Sequence, residues 1–580
     1  MQTDKKKELV NLFEEIAILL DLAKENPFRV RAYHNAARSL AGCMDDLEDL
    51  IKNGTLTDIP GVGKGIAAHI IEYYKTGRIK EHQALFKKAP PGLMDMIKIP
   101  GLGPKRAVQI CEKLKIQTIG ELEYACKENR LVDLDGFGEK LQQKILEGIA
   151  FLRKHSEYHL LSTVLEDADQ LVSEIKKWPE VIRISLAGSI RRSKEVIRDV
   201  DIVAASGDQA AVMKKFTKLT LAEEVIQEGD TKSRVRLRSG IGVDIRVVSN
   251  KEFPYALHHF TGSKEHNTAM RLRAKKMGMK MNEYGLFKGT KLIPCKDEEE
   301  IFKKLGLAYI PPEIRENMGE IQAAEKNKIP NLVKQEDIRG LFHAHTRYSD
   351  GANTVEEMAR EAQSLGYEYL GLSDHSQSAR YAGGMFPEAV KKQHAEIDAF
   401  NKSAKGFKIF KGVESDILPD GSLDYPGKIL ASFDFIIASV HGSFQLTKEA
   451  MTRRIVRAIQ NKHTTMIGHL TGRLLLAREG YALDVSEVIK AAAGEGVVIE
   501  MNANPHRLDL DWRYGPEARK AGLKISINPD AHRVDGFLDT RYGVGIARKA
   551  WFTKEDVINT KPLKEMESYL SSCRANPKKN

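Results

Sequence analysis

The sequence has few cysteines, five in 580 residues. No two of them form a Cys-x-x-Cys pair, which argues against a zinc ribbon, and their scattered positions give no disulfide framework. This usage is typical of a protein that stays in the reducing cytosol. The five are Cys43, Cys111, Cys126, Cys295 and Cys573.

Long apolar runs are missing as well. No uninterrupted apolar stretch approaches the roughly 20 residues of a membrane span, and the N-terminus, MQTDKKKELV, has no apolar signal region. We therefore expect a soluble, cytoplasmic protein without a membrane partner. Because no coiled-coil heptads suggest an obligate oligomer, we expect a monomer.

Length and positive charge bound what the protein can be. A chain of 580 residues is too long for one hydrophobic core, so three or four domains are expected. The formal net charge of +10 and the pI of about 9.0 favour an acidic partner, most simply nucleic acid. A basic surface without any such partner would give the same total.

A glycine-rich motif occurs in three copies: IPGVGKGIA at 59–67, IPGLGPKRA at 99–107 and the weaker LDGFGEKL at 134–141. Each copy lies between helical patterns, so the Gly-x-Gly predicts the turn of a helix-hairpin-helix. Such a turn offers backbone N–H groups to a DNA phosphate without reading a base. The competing interpretation is a turn used only for packing. The predicted DNA-binding residues are Gly61, Gly63, Lys64, Gly101, Gly103 and Lys105.

Two acids stand on an apolar run in the mixed α and β pattern that begins near residue 155. Asp199 and Asp201 share one face of the predicted strand, while Val200 points into a core. Carboxylates fixed on one face repel each other and need a cation, typically Mg²⁺ between carboxylates and a substrate phosphate. Asp244 is a third acid in a similar run. The competing interpretation is a solvated strand face with ordinary acids.

Groups suited to phosphate flank these acids. The stretch Gly188-Ser-Ile-Arg-Arg192 offers backbone N–H groups, a hydroxyl and positive charge at a predicted strand end. After the sheet, FTGS at 260–263 opens a helical pattern that is dense in arginine and lysine, which is either a DNA contact surface or a solvated face. Strands are predicted over 181–186, 199–204, 234–237 and 243–248, with a helix around 210–219.

Together these motifs resemble a family X DNA polymerase over roughly residues 1–320. The resemblance implies that Asp199 and Asp201 bind two metal ions, Mg²⁺ or Mn²⁺, and that Asp244 helps to deprotonate and position the primer end. It also implies a deoxynucleoside triphosphate and a primer on DNA as substrates. The residues implied to contact the triphosphate or the nascent base pair are Gly188, Ser189, Arg192, Asn267 and Arg271.

Three residues depart from the pattern of that family. Arg198 stands just before the two acids, where a small residue is usual, and either contacts a phosphate or crowds the site. His259 replaces a tyrosine, which puts discrimination between ribose and deoxyribose in question. His69 stands where the vertebrate repair polymerase has its Schiff-base lysine, so we expect no deoxyribose-phosphate lyase activity by that route.

The chain beyond about residue 337 follows a different plan. Seven short apolar runs, from 338–342 to 525–527, alternate with helical stretches, and six are followed by residues that bind metals. Strands that carry functional side chains at their C-terminal ends describe a (βα) barrel with its site at one mouth. The competing interpretation is a set of unrelated capped strand ends. The candidate ligands are His343, His345, Asp350, His375, Glu414, His441, His469, Asp530 and His532.

Nine converging side chains can hold two or three divalent metals, and histidine suits Mn²⁺, Zn²⁺ or Fe²⁺ better than Mg²⁺. Such a centre makes hydroxide from water and holds a phosphoester between metals. Residues 335–575 resemble the polymerase and histidinol phosphatase (PHP) domain, with all nine ligand positions filled. Leu341 replaces a common acid, which weakens support of the ligands. Arg380, Arg473, Arg507 and Arg533 are predicted to contact the DNA backbone.

The predicted fold class is therefore multidomain α+β and α/β: helix-hairpin-helix repeats, a nucleotidyltransferase palm with a thumb-like segment, and a distorted (βα)7 barrel. The predicted segments are 1–90 and 91–153 (DNA-binding helices), 154–250 (palm), 251–315 (thumb-like), 316–337 (linker) and 338–575 (barrel).

The predicted function is DNA polymerisation in short, 5′-phosphorylated gaps during base excision repair. A metal-dependent 3′-5′ exonuclease would trim the 3′ end, and cutting at abasic sites is expected as a further activity of the same domain. One alternative assigns the barrel to small phosphoesters. Another makes the chain a non-catalytic scaffold that binds DNA ends.

Overall fold

The computed structural model describes residues 2–23, 25–43, 47–99, 101–132, 134–153 and 157–575. Within these residues no helix is both long and apolar enough to cross a membrane. The chain divides into two compact units. The first comprises Met1–Glu123 and Gly138–Ile149, and the second comprises Tyr124–Phe137 and Ala150–Asn580.

The first unit is helical, as the sequence predicts. Apolar residues at helical spacing on α1, such as Leu9 and Phe13, form a core with Tyr33 and Leu40 of α2. The helices up to residue 153 are α1 Gln2–Leu22, α2 Pro27–Gly42, α3 Leu47–Asn53, α4 Lys64–Thr76, α5 Lys80–Phe86, α6 Leu93–Ile97, α7 Pro104–Leu114, α8 Ile119–Lys127 and α9 Glu139–Arg153.

The three glycine motifs form the same turn. Gly61, Gly101 and Gly136 have φ angles of +83°, +85° and +80°, a backbone region that glycine enters without steric cost. In each copy the next residue donates its N–H to the carbonyl three residues earlier, at 2.9–3.0 Å. A helix begins three residues after each glycine. The predicted helix-hairpin-helix turns are thus confirmed in all three copies.

A five-stranded sheet follows, in the order β2-β4-β7-β6-β5, with β4 parallel to β7 and the other pairs antiparallel. Val200 and Ile202 pack against α10 and α12, while Val203 on the opposite face packs against α13. The elements are β1 His159–Leu160, α10 Leu161–Ile175, β2 Val181–Leu186, α11 Gly188–Arg191, β3 Val196–Ile197, β4 Asp199–Ser206, α12 Gln209–Phe216, β5 Ala222–Gln227, β6 Lys232–Leu237 and β7 Gly242–Val248, with α13 Phe253–Thr261 after them.

Helices and a small antiparallel sheet fill the chain up to residue 337. The stretch 316–337, which the sequence predicts to be a linker, is packed instead. Its Glu320 is fully buried and bonds to the ring of the equally buried His266 at 2.7 Å, and Ile321 joins the local core. The elements are α14 Lys264–Lys276, β8 Lys280–Asn282, β9 Gly285–Lys288, β10 Lys291–Leu292, α15 Glu298–Lys304 and α16 Glu320–Glu325.

Seven parallel strands in sequence order form the last part of the chain, which confirms the predicted barrel. The sheet nearly closes, because the backbone of Ala531, after the last strand, bonds to His343 of the first strand at 3.1 Å and to His345 directly after that strand at 2.8 Å. The strands are β11 Gly340–Ala344, β12 Tyr369–Leu372, β13 Lys408–Asp416, β14 Phe435–Ser439, β15 Met466–Ile467, β16 Val498–Asn502 and β17 Ile525–Asn528.

Helices surround the barrel and close its lower end. Phe342, Phe410 and Phe435 pack with Met566 and Leu570 of the last helix, so the lower end is an apolar core and leaves the upper mouth for polar groups. The helices are α17 Val355–Ser364, α18 Pro387–Ser403, α19 Gly427–Leu430, α20 Lys448–Gln460, α21 Val485–Glu495, α22 Gly515–Lys520, α23 Thr540–Lys549 and α24 Leu563–Ala575.

Candidate active sites

Three carboxylates meet on the parallel strands β4 and β7. Asp201 stands opposite Asp244 in the register, and Asp199 stands opposite Gly242. Because alternate residues of a strand share a face, all three carboxylates lie on the same side of the sheet. The structure therefore brings the three predicted acids together.

Basic side chains on the neighbouring strand β6 face these acids. Arg234 donates to Asp244 Oδ2 at 2.9 Å and also bonds to Asp199, and Lys232 Nζ lies 3.1 Å from Asp244 Oδ1. Sequence reasoning missed both residues, although the alternation in KSRVRL was a usable signal. Burial, followed by the charges of Asp244 and Asp199, raises the pKa of Asp201 to about 7. An acid cluster that needs this much compensating charge fits divalent metal ions.

Gly188 lies directly beside Asp201. Its φ is +58°, and a Cβ at this position would stand 1.9 Å from Asp201 Oδ2. A side chain is therefore excluded both by the backbone conformation and by the carboxylate. Ser189, the next residue, is the second residue of the short helix α11.

The two arginines after this glycine have different partners. Arg191 donates to Thr261 Oγ1 and Glu298, both at 2.6 Å, which ties α11 to the following helices. Arg192 donates to Glu316 Oε1 at 3.1 Å and to the carbonyl of Thr261. Arg191 is therefore a structural residue, whereas Arg192 is held by a single carboxylate beside the acid cluster.

The residues that depart from the family pattern have different surroundings. The Arg198 side chain is 63% exposed and lies 4.0 Å from Asp199 Oδ2, so it points outward and does not crowd the acids. The carbonyl of His259 accepts a hydrogen bond from Asn267 Nδ2 at 2.7 Å, which fixes the amide of Asn267. Arg271 is exposed on α14. His69 stacks on Tyr33 and bonds to its hydroxyl at 2.8 Å.

All nine predicted ligands of the barrel converge at its upper mouth, in overlapping groups whose ligand atoms lie within 4.8 Å of one another. Glu414 is central. Its Oε1 lies 2.9 Å from His469, 3.2 Å from His441 and 3.3 Å from His343, and its Oε2 lies 3.0 Å from His375. One carboxylate shared by four imidazoles is suited to bridging metal ions.

A second set of contacts completes the cluster. Asp350 lies 3.3 Å from His532 and 3.6 Å from His375, and Asp530 lies 3.3 Å from His345. Both ring nitrogens of His345 and of His375 are buried, and although carboxylates lie close to them, none makes a well-aligned hydrogen bond. Buried polar atoms of this kind are costly unless a ligand satisfies them, so the site fits more than one divalent metal.

Carboxylates behind the cluster orient its histidines. His343 has a φ of +59° where the register between β11 and β12 shifts, and this bulge turns its ring into the mouth. Its Nδ1 bonds to the buried Glu500, and His441 Nδ1 bonds to Asp416 at 2.5 Å. The leucine at position 341 therefore does not leave His343 unsupported, because Glu500 of β16 supplies the acid. The sequence signal missed was one glutamate inside the apolar run VVIEMN.

Another missed group comes from residues 124–137, which the sequence assigns to the DNA-binding helices. Glu128 forms a possible ligand group with Asp530 and His532. The Arg130 guanidinium lies over the ring of Tyr381 and 3.7 Å from Asp350. This segment packs with the second unit and contributes charged groups to the mouth of the barrel.

The four arginines predicted to contact DNA differ in their surroundings. Arg473 donates to Asp511 at 2.7 Å and to two backbone carbonyls, so it stabilises a loop and is not free to bind a phosphate. Arg507 lies 3.5 Å from Asp530 at the edge of the cluster. Arg380 and Arg533 are exposed.

Comparison with known proteins identifies the relatives of this chain. The chain is 37% identical over 569 residues to the DNA polymerase/3′-5′ exonuclease PolX of Bacillus subtilis (strain 168). The aligned region covers 97% of this chain and 99% of the relative. The chain belongs to the PolX family. It matches a helix-hairpin-helix domain over 4–79, a SAM-like helix-hairpin-helix tandem over 93–150, the DNA polymerase beta thumb over 256–316 and the PHP domain over 342–504.

The barrel has relatives of its own. A probable phosphatase of Thermoanaerobacter sp. (strain X514) is 30% identical over 243 residues, 39% of this chain and 92% of that protein. A probable phosphatase of Acetivibrio thermocellus is 28% identical over 199 residues, 33% of this chain and 78% of that protein. Family membership confirms the resemblance and the fold class read from the sequence.

Replacing Gly188 by alanine is expected to disable the acid cluster. The new methyl group would displace the Asp201 carboxylate, and a misplacement of about 1 Å costs on the order of 100-fold in rate. We expect primer extension to fall by about that factor. Exonuclease activity should stay within about twofold, because the barrel centre is untouched. Gly207→Ala is the matched control, since a Cβ there meets nothing within 4 Å. Unchanged extension by Gly188→Ala would contradict the geometry.

Metal loading of the barrel is expected to release protons. Burial alone would lower the pKa of His532, but Asp350 and Glu128 raise it to about 9. Burial would also lower the pKa of His343, but the surrounding carboxylates raise it well above its usual range, and Asp530 makes the largest contribution among them. These imidazoles are charged at pH 7 without metal and must be neutral to bind it, so affinity should rise from pH 6 to pH 8.

Calorimetric titration of the metal-stripped protein with Mn²⁺ at pH 7 measures this release, if it is repeated in buffers of different ionisation enthalpy. We expect at least one proton released per chain, and a smaller release from His441→Ala, which removes one ligand. A binding heat that is the same in every buffer would contradict the prediction.

Proposed function

We propose that this PolX-family chain extends a DNA primer at the carboxylates of β4 and β7, and removes nucleotides from 3′ ends at the barrel centre. The observation that carries the proposal is the convergence of two complete ligand sets within one chain. Three acids on one face of the sheet form one set, and nine His, Asp and Glu side chains, of which all but the half-buried His441 are buried, form the other. The name of the Bacillus subtilis relative joins the same two activities.

At the first site the protein positions reactants and supplies charge. Asp199 and Asp201 would hold Mg²⁺ or Mn²⁺, which supplies activation of the primer hydroxyl and neutralisation of the leaving pyrophosphate. Asp244 would accept a hydrogen bond from the primer 3′-hydroxyl and so orient it. Ser189 and Arg192 would bind the triphosphate oxygens beside Gly188. Phosphoryl transfer depends chiefly on such positioning, which gives each of these residues a role.

Two residues on α14 would check the nascent base pair. Asn267 donates its amide N–H to the carbonyl of His259, which fixes the orientation of its side chain on α14. Arg271 is exposed four residues further along the same helix. Side chains at positions i and i+4 of a helix lie on one face, so both can face the same DNA groove.

At the second site the nine ligands, centred on Glu414, would hold two or three ions of Mn²⁺, Zn²⁺ or Fe²⁺, which supply a metal-bound hydroxide. Glu500 and Asp416 keep the rings of His343 and His441 oriented. Arg507, which donates to Tyr124 at 2.9 Å and lies 3.5 Å from Asp530, would bind a backbone phosphate at the edge of the cluster. With that chemistry, water would cleave the last phosphodiester, so that one nucleotide would leave and a new 3′-hydroxyl would remain on the primer.

The helix-hairpin-helix turns would bind the DNA backbone. Gly61, Gly63 and Lys64 present N–H groups and charge at the start of α4, and Gly101, Gly103 and Lys105 do the same at α7. Backbone binding without base contacts suits a gap that occurs at any sequence. We therefore propose that the chain fills short gaps in base excision repair. The segments 1–90, 91–153, 154–250, 251–315 and 338–575 would be its domains, except that residues 124–137 belong to the second compact unit.

A second candidate activity concerns the barrel alone. The relatives that match only this part are called probable phosphatases, so hydrolysis of small phosphoesters is the alternative to 3′-end trimming. Cutting at abasic sites is a third possible use of the same centre. Turnover by the whole chain on single-stranded oligonucleotides, abasic duplexes and small phosphate monoesters separates these substrates.

Single substitutions should separate the two activities. Asp201→Asn removes a metal ligand of the first site and is expected to lower primer extension at least 1000-fold with trimming intact. His441→Ala should abolish trimming and leave extension intact, because it removes one of the imidazoles around Glu414. A gapped duplex with labelled primer, assayed with and without nucleotides, measures both reactions.

Matched controls lie outside both clusters. Asp230→Asn changes an acid between β5 and β6, and His463→Ala changes a barrel histidine that belongs to no ligand group in the described chain. Both controls should keep both activities. If either active-site substitution abolished both reactions in a folded protein, the proposal of two separate centres would be wrong.

A further inference from the structure

Lys549 connects the barrel to the proposed triphosphate loop. It is the last residue of α23, and its side chain is completely buried. Its ammonium donates to the carbonyl of Arg192 at 2.9 Å, to the carbonyl of Glu313 at 3.1 Å and to Glu316 Oε1 at 2.5 Å. A buried lysine that meets three acceptors has a defined position and charge partner.

Glu316 is shared among several cations. Besides Lys549, it accepts from Arg192 Nε at 3.1 Å, and Lys194 Nζ lies 3.4 Å from its other oxygen. The ammonium groups of Lys549 and Lys194 lie 4.5 and 4.9 Å from the centre of the Trp512 ring. These cation–π contacts hold both ammonium groups beside the Glu316 carboxylate. The strength with which Glu316 retains Arg192 therefore depends on the other two charges.

Other contacts of the barrel support the same loop. A Cβ at Gly545 would lie 3.1 Å from Ser193 Oγ, so α23 packs closely against the residue after Arg192. Glu195 lies 3.6 Å from Arg473 of the barrel. The loop that would bind the triphosphate is thus bounded by barrel residues on one side.

We infer that Lys549 is a positioning residue for the polymerase reaction: by neutralising Glu316 and anchoring the carbonyl of Arg192, it keeps the Arg192 guanidinium available to the triphosphate. The inference rests on the proposed role of Arg192 in nucleotide binding. Without Lys549, the full charge of Glu316 acts on Arg192 and Lys194 and holds the guanidinium away from the nucleotide. The barrel then has a part in polymerisation that is independent of its metal centre.

Lys549→Met tests this in the full chain, because methionine keeps the length of the side chain and removes the charge. We expect the KM for the incoming deoxynucleotide to rise about fivefold to tenfold, with kcat changed less than threefold and trimming unchanged. The decisive variant is Lys549→Met combined with Glu316→Gln. Once the carboxylate is gone, the Arg192 guanidinium keeps only its bond to the Thr261 carbonyl, and the KM should return to within about twofold of the wild-type value.

Arg548→Met is the matched control. Arg548 is the neighbouring residue on α23 and bonds to Glu313 at 2.7 Å, so its loss disturbs the same interface without changing the charge around Glu316. It should leave the KM for nucleotide unchanged. A similar rise in KM for Arg548→Met, or no recovery in the double variant, would mean that Lys549 acts only in packing and would overturn the inference.

Arg192→Ala separates the inference from the proposed function beneath it. A raised KM for nucleotide in Arg192→Ala together with a normal KM in Lys549→Met would refute the role of Lys549 alone. A normal KM in Arg192→Ala would refute the role of Arg192 in nucleotide binding. If Lys549→Met gives little folded protein, Lys549→Gln takes its place, because glutamine removes the charge and can still donate to a carbonyl, and the inference requires the same rise in KM from it.

Discussion

Repulsion between carboxylates held at the ends of strands is the constraint on which both centres depend. Asp199, Asp201 and Asp244 are fixed on one face by the register of β4 and β7, and basic residues of β6 offset their charge. In the barrel the same problem is met by histidines around Glu414. The first arrangement suits exchangeable Mg²⁺ beside a substrate, and the second suits ions retained by imidazole.

The two centres are linked by a shared boundary. The loop from Arg192 to Glu195 begins with one of the proposed triphosphate contacts, and it is held by Lys549 and Arg473 of the barrel. The segment Tyr124–Phe137 in turn places Glu128 and Arg130 at the barrel mouth. The two centres share no proposed metal ligand. Charged residues outside each set of ligands nevertheless determine the charge distribution around that set.

Features that depend on short, regular sequence patterns could be predicted from the sequence. The alternation around Asp199 and Asp201, the repeated glycine turn and the seven strand ends all specify which side chains share a face or a mouth. Partners from distant parts of the chain could not be predicted. Glu500 behind His343, Arg234 beside the acids and Arg130 at the mouth are brought there by tertiary packing. The packed stretch 316–337 was missed because its few apolar residues are separated by polar ones.

Complementation in trans tests the central claim, that extension and trimming occur at two independent centres, most directly. Asp201→Asn and His441→Ala proteins are mixed in equal amounts with a gapped duplex whose primer ends in a mispair, and nucleotides are present. The account predicts that the mixture trims the mispair and then fills the gap, whereas neither protein alone completes both steps. A mixture that does no more than its components, although each variant keeps its remaining activity on simple substrates, would contradict it.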